Sequence, residues 1–363
     1  MPATLSRLLR PAAACAAAAL LTLINPAAPR PRAQVAQTAA AAPSYLLVLN
    51  KAEATLAIID PATMRVVGRV PTGEGPHEVA TSADGRTAYV TNYGAQKPGN
   101  SISVIDLASR KETRRVDLGP FLRPHGIAER DGKLYFTAEL ARAVARYDPA
   151  SDKVDLVVGT GQSITHMLVM HPKRAVVYTA DILSNTASVI ELEKRQEVPG
   201  PPPHVAHVAV GPQPEGLDIS PDGRELWVGH NQDGGISIID TETLKVKETI
   251  KAGGMPIRVK FTPDGKHALV SSPPTGELTV FDAATRKEVK RLRISQPPQG
   301  QGQSGEVPIG ILITPDGRRA YVAVTAVGKP DPGKVVRVDL EKMEADGSVE
   351  TGQGPDGLGW VGK

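Results

Sequence analysis

The order of apolar and polar positions along the chain repeats itself. The block Ser82-Ala-Asp-Gly-Arg-Thr-Ala-Tyr-Val-Thr-Asn92 returns as Ser220-Pro-Asp-Gly-Arg-Glu-Leu-Trp-Val-Gly-His230, and again over residues 262–272 and 314–324. Asp222 and Asp264 stand 42 residues apart and Asp264 and Asp316 52 apart, the excess falling in a Gln/Gly/Pro-rich insertion. A β-rich segment follows each block, as in Ile102-Ser-Val-Ile-Asp106, Ile236-Ser-Ile-Ile-Asp240 and Leu278-Thr-Val-Phe-Asp282, and then an alternating stretch such as Lys245-Val-Lys-Glu-Thr-Ile250. The Asp-Gly pairs predict hairpin turns, because Asp caps the turn and Gly accepts positive φ. With the Gly-x-x-Pro segment before each of these turns, every repeat predicts four short strands, the unit of a propeller blade.

Weaker copies over 123–159 and 164–211 fill the middle, giving six units between 75 and 351. The seventh is split: residues 45–73 supply three strands, and Gly352-Gln-Gly-Pro-Asp-Gly-Leu-Gly-Trp360 supplies the missing Gly-x-x-Pro strand. The pattern predicts an all-β, seven-bladed β-propeller of four-stranded blades over residues 43–363, closed by pairing the C-terminal strand with the N-terminal blade. Closure in this way leaves no exposed sheet edge at the seam. The Tyr89-Val-Thr-Asn92 motif resembles the YVTN-repeat β-propeller family, and the repeated blocks extend that resemblance over nearly all of the chain after its leader. The resemblance implies a fold more than a function, since similar propellers serve as surface-layer and periplasmic binding proteins, as lactonase-like enzymes, and as domains of nitrous oxide reductase and cytochrome cd1 nitrite reductase.

Neighbouring strands of a meandering blade run antiparallel, so the Gly-x-x-Pro segments and the Tyr-Val-Thr-Asn ends fall on one face of the disc and the Asp-Gly turns on the other. The long, unlike segments 93–100, 295–305 and 327–333 project from the first face, where variable loops on a rigid scaffold place binding. The residue after each proline is expected at the channel mouth: His77, His125, His166, Glu215, Ile257, Ile309 and Asp356. Strand-two ends add Asn92, Asp181, His230 and Ser272; Asn92, Asp181 and Ser272 are read with Asp356 as ligand-binding positions, and Arg258 follows its blade's channel position by one residue.

Several chemistries stay open on these residues. His77, His125, His166 and Glu215 are the candidate ligands of a divalent or copper ion, since neutral imidazole suits zinc, copper, iron and nickel. A structural reading has each histidine bonding a neighbouring blade's backbone. Glu215 and His230, from one blade, are a candidate acid/base pair, with Arg258 as anion holder, in a lactonase-like or lyase-like enzyme. The leading expectation is a binding protein that presents its ligand, a small molecule or an envelope protein partner, on the channel-mouth face.

The amino terminus changes the picture of location. Arg7 and Arg10 precede an apolar Ala/Leu-rich run to Ile24, then small residues and prolines, which predicts a secretory signal and short leader over 1–42 and a periplasmic or secreted protein. Two small-residue stretches, near Ala27-Ala28 and over 39–42, fit cleavage. The run is too short for a membrane span of about 20 apolar residues, and no later segment approaches one. Cys15, the one cysteine, lies in the signal, so covalent haem and disulfides are excluded beyond it. The leader also holds Arg7, Arg10, Arg30 and Arg32 and no acid, so its removal turns the formal charge of +3 into about −1. A near-neutral body offers no electrostatic case for nucleic acid.

Overall fold

The computed structural model describes residues 44–193 and 201–362; the leader read at 1–42, with Cys15 and both cleavage positions, lies outside the described residues. Among those described, 28 strands form seven four-stranded antiparallel sheets, and no helix is long and apolar enough to cross a membrane. Six sheets follow the chain order directly. The seventh joins Pro355–Val361 to Tyr45–Asn50, Thr55–Asp60 and Arg65–Pro71, with Leu46 opposite Trp360 and Leu47 opposite Gly359. Lys51 N donates to Gly354 O at 2.8 Å, extending the seam to the channel mouth.

The blade's four strands follow from burial. Second and third strands are packed on both faces, as in Val176–Asp181, where every residue is buried, and their Val, Ile, Leu and aromatic side chains fill the spaces between adjacent blades. Outermost strands are charged, as in Lys245–Lys251 and Glu288–Arg293, which blunts their exposed edges against further pairing. The Asp-Gly hairpins close as the sequence predicts: Asp84 Oδ1 accepts from Ser82 Oγ at 2.6 Å and Arg86 N at 3.0 Å, and Asp222 repeats the pattern.

The four letters of the Tyr89-Val-Thr-Asn92 motif have separate tasks. Val90 is fully buried, and Tyr89 packs beside the next blade's core. Thr91 accepts from Glu78 N at 3.1 Å and donates to His125 O, on the following blade, at 2.7 Å. Thr137 likewise reaches His166 O, and Ser271 reaches Ile309 O. These buried hydroxyls tie the carbonyl of one channel residue to the blade before it, so the channel ring is stitched as well as packed; each such bond contributes about 1 kcal/mol net.

Candidate functional site

Six of the seven inner strands begin with a register irregularity, the strand Arg258–Phe261 being the exception, and in Pro355–Val361 it lies between Pro355 and Leu358. In the others it lies between Pro76 and Val79, Pro124 and Ile127, Thr165 and Leu168, Pro214 and Leu217, and Pro308 and Ile311. A bulge breaks the strict alternation of side chains. Here it aims both residues after the proline at the axis, as His77 with Glu78 shows. Glycine fills the second of these positions in four blades, Gly126, Gly216, Gly310 and Gly357, where the neighbouring blade's backbone comes close, and Glu78, Met167 and Arg258 fill it in the other three. A Cβ on Gly357 would stand 2.1 Å from His77 O.

The structure brings the three channel histidines together. His77 Nε2 and His125 Nε2 are 3.0 Å apart, and the ring centroids of His77–His125 and His125–His166 are 3.7 and 3.6 Å apart. All three are buried, His125 completely. Asp356 Oδ2 lies 3.7 Å from His77 Nε2, and Glu215 Oε1 lies 3.7 Å from His166 Nε2. Arg258, 4% exposed, spans the lumen beneath: it bonds Glu78 at 2.8 Å and reaches Asp356 at 3.4 Å and Glu215 at 3.7 Å. Below it the channel holds a cavity of about 130 Å³, walled by Glu78, Arg258, Lys260, Met167 and the glycine backbones.

Strand-two ends behave differently from the expectation. Asn92 is buried against Ser101 and Ser103 at 3.0 Å each, Asp181 against Thr179, Thr186 and Ser188, and Ser272 accepts from Met255 N at 3.0 Å. Each is spent on holding its own blade's loop. His230 does the same: its ring meets Asp233 Oδ1 at 3.2 Å and accepts from Gly211 N, and a Cβ on Gly211 would fall 2.0 Å from His230 Nδ1. The structure therefore does not pair His230 with Glu215. His230 sits opposite Pro214 in the register, and side chains of consecutive strand residues point to opposite faces, so Glu215 meets the next residue, Asn231, instead.

The same one-residue offset recurs in three further blades and supplies the residues missed in the sequence. Lys51, Tyr93, Glu139 and Asn231 each follow a strand-two end; the first three point at the histidines and Asn231 at Glu215. Lys51 Nζ is 2.7 Å from His77 Nε2, Tyr93 OH donates to Glu139 Oε2 at 2.6 Å, and Glu139 Oε1 holds His166 Nδ1. Arg123 lies over the Tyr93 ring, 4.6 Å from its centroid. Strand pleating alone contained this signal: if Asn92 caps a loop, Tyr93 has to face the other way.

The electrostatics sort the imidazoles. Burial drives the His125 pKa well down, with the neighbouring His166 charge second, so this ring stays neutral. Burial also opposes a charge on His166, but the Glu139 bond and then Glu215 outweigh it and lift its pKa to about 9. Burial would raise Glu78, Glu215 and Asp356, yet all three lie below their usual values; Arg258 leads the opposing causes for Glu78, His166 for Glu215 and His77 for Asp356. Burial and Glu139 push the Tyr93 phenol up to about 12. A lysine ammonium has no acceptor, so in the Lys51 contact His77 Nε2 is the acceptor. The carboxylates Glu78, Glu139, Glu215 and Asp356 thus interleave with the cations Lys51, Arg258 and the His166 imidazolium.

Two sets of three donors have atoms within 4.8 Å of one another, His77–Glu78–His125 and His125–Glu139–His166. The Nδ1 atoms of His77 and His125 are buried with no hydrogen-bond partner.

Comparison with known proteins agrees with this architecture. Residues 6–97 match a YNCE-like beta-propeller family, and residues 100–306 match the cytochrome D1 heme domain family. No curated protein sequence matches. Among solved structures, the chain is similar to the dihydro-heme d1 dehydrogenase NirN in complex with DHE (17% identity, 87% of this chain and 74% of that one, TM-score 0.60). It is also similar to a functionally unknown protein from Desulfotomaculum acetoxidans (11%, 88% and 99%, TM-score 0.70) and to the hydrazine synthase of Kuenenia stuttgartiensis (20%, 78% and 88%, TM-score 0.61). These likenesses are of fold. The match over residues 100–306 spans more than half of the sequence, and the chain belongs to the cytochrome D1 heme domain family.

Proposed function

We propose that this chain is an exported binding propeller whose channel mouth holds a divalent transition-metal cation, with His77 Nε2 and His125 Nε2 as nitrogen ligands and Asp356 as the carboxylate beside them. One observation carries the reading. The single lone pair of His77 Nε2 faces two groups at once, the Lys51 ammonium at 2.7 Å and His125 Nε2 at 3.0 Å. One lone pair cannot satisfy both, whereas two Nε2 atoms 3.0 Å apart both reach an ion at the usual 2.0 to 2.1 Å nitrogen distance. Glu78, 3.8 Å from His77 Nδ1, stands where an orienting carboxylate belongs, as Glu139 does for His166.

The family name raises the question of a haem, and NirN is described as a dihydro-heme d1 dehydrogenase in complex with DHE. Imidazole is a suitable axial ligand, but the residues present do not fit a macrocycle. Tilted imidazoles with ring centroids 3.6 to 3.7 Å apart crowd the axis, and the cavity beneath, about 130 Å³, is well below the roughly 300 Å³ at which ligand pockets begin. No imidazole presents a free nitrogen to the open side: His166 is held by Glu139 and Glu215, His125 is fully buried, and the two Nε2 atoms face each other. The ring is built for an ion.

The test is metal content after reconstitution with zinc and copper, on the protein and on the His77→Ala/His125→Ala variant. One equivalent in the first and none in the second is expected, with no change in a haem absorption spectrum on mixing. Absence of stoichiometric metal, or a haem spectrum shifted by the protein, would overturn the proposal. The export in this reading rests on the leader pattern at 1–42.

A further inference from the structure

We infer that Lys51 is a built-in surrogate cation that occupies the metal position, so that a metal enters the channel mouth only by displacing it. The inference rests on the metal reading above and concerns how that site is regulated.

The ammonium of Lys51 sits in a cation's coordination environment. Its Nζ lies 2.7 Å from His77 Nε2 and 3.7 Å from Asp356 Oδ2, and the Tyr93 ring faces it at 5.5 Å. An imidazole lone pair, a carboxylate and an aromatic face are what a cation seeks in a half-buried site. Two of these groups are also the proposed ligands. An ion bound by His77 Nε2 and Asp356 Oδ2 would take the lone pair that now accepts from Lys51, and two positive charges would share one space. Both cannot occupy it.

The chain around Lys51 is arranged for the side chain alone to move. Its backbone N is fixed to Gly354 O at 2.8 Å by the ring-closing seam. The side chain is 38% exposed, while its partner Asp356 is 12% exposed, so the four-carbon stem has a solvent side to swing into. The other cations of the ring lack that freedom. Arg258 is pinned by three carboxylates and His166 by two. Of the three cations, Lys51 is the one that can leave without stranding a buried charge.

Competition of this kind sets affinity without supplying a ligand. Removing the ammonium should tighten binding, whereas removing a ligand weakens it, and the two are opposite in sign. The experiment measures zinc affinity by competition with a chromophoric chelator for the protein, Lys51→Ala and Lys51→Arg, with circular dichroism as a fold control. In parallel, Lys51 acylation by an amine-reactive ester is followed by mass spectrometry with and without zinc. Lys51→Ala should bind zinc at least tenfold more tightly than the unaltered protein, Lys51→Arg should not, and zinc should raise the acylation rate of Lys51 several-fold. Equal or weaker binding by Lys51→Ala, or acylation indifferent to zinc, in a protein that does bind zinc would overturn the surrogate role and leave the metal site standing. Failure of both the unaltered protein and Lys51→Ala to bind zinc would overturn the metal site and this inference together.

Discussion

Replacing Glu139 with Gln removes a charge from behind His166 while keeping a side chain of the same shape that still accepts from Tyr93 OH. His166 binds its proton with a pKa of about 9 against an ordinary 6.5, which at 1.36 kcal/mol per pH unit is about 3 kcal/mol of folded-state preference for the imidazolium. Because the folded pKa is the higher one, this stability is fully present below pH 6.5 and is lost as the pH rises through about 9. In the variant, burial opposes the charge and only Glu215 supports it, so the folded pKa should fall to near or below 6.5 and the contribution should vanish. Denaturant unfolding of both proteins from pH 6 to pH 10 reads the difference directly. The unaltered protein should exceed the variant by about 3 kcal/mol more at pH 6 than at pH 10, and a histidine-selective NMR titration should place the lost proton on His166. A stability gap that stays constant over this range, or a His166 titration near pH 9 in Glu139→Gln, would refute the assignment.

Arg258→Met should destabilise the fold by about 3–5 kcal/mol in urea unfolding, because Glu78, Asp356 and Glu215 are left buried around a vanished cation. Gly357→Ala should cost about 1–3 kcal/mol by the same assay, since its methyl group collides with the His77 carbonyl, and it should weaken metal binding by shifting that ring.

The fold was legible because it depends on local rules repeated seven times. Period-two alternation, Asp-Gly hairpins and the proline-marked inner strands each specify a blade element without reference to distant residues, and the split repeat at the two ends implied closure. The convergence of His77, His125 and His166 followed from the same repeat, as blade-equivalent positions in a ring must meet at its axis. What the sequence misassigned was the direction of the strand-two ends. Asn92, Asp181, His230 and Ser272 are polar and lie on the correct face, yet a one-residue difference in pleat phase turns them into their own loops and turns Lys51, Tyr93 and Glu139 toward the histidines and Asn231 toward Glu215. Only the tertiary structure decided which of the two faces belongs to the channel, because that phase is set by the bulge after each proline and by the blade packed alongside. Charge at the mouth is likewise a property of the assembled ring: Arg258 meets Glu78 across 180 positions of sequence, and that separation has no local signature.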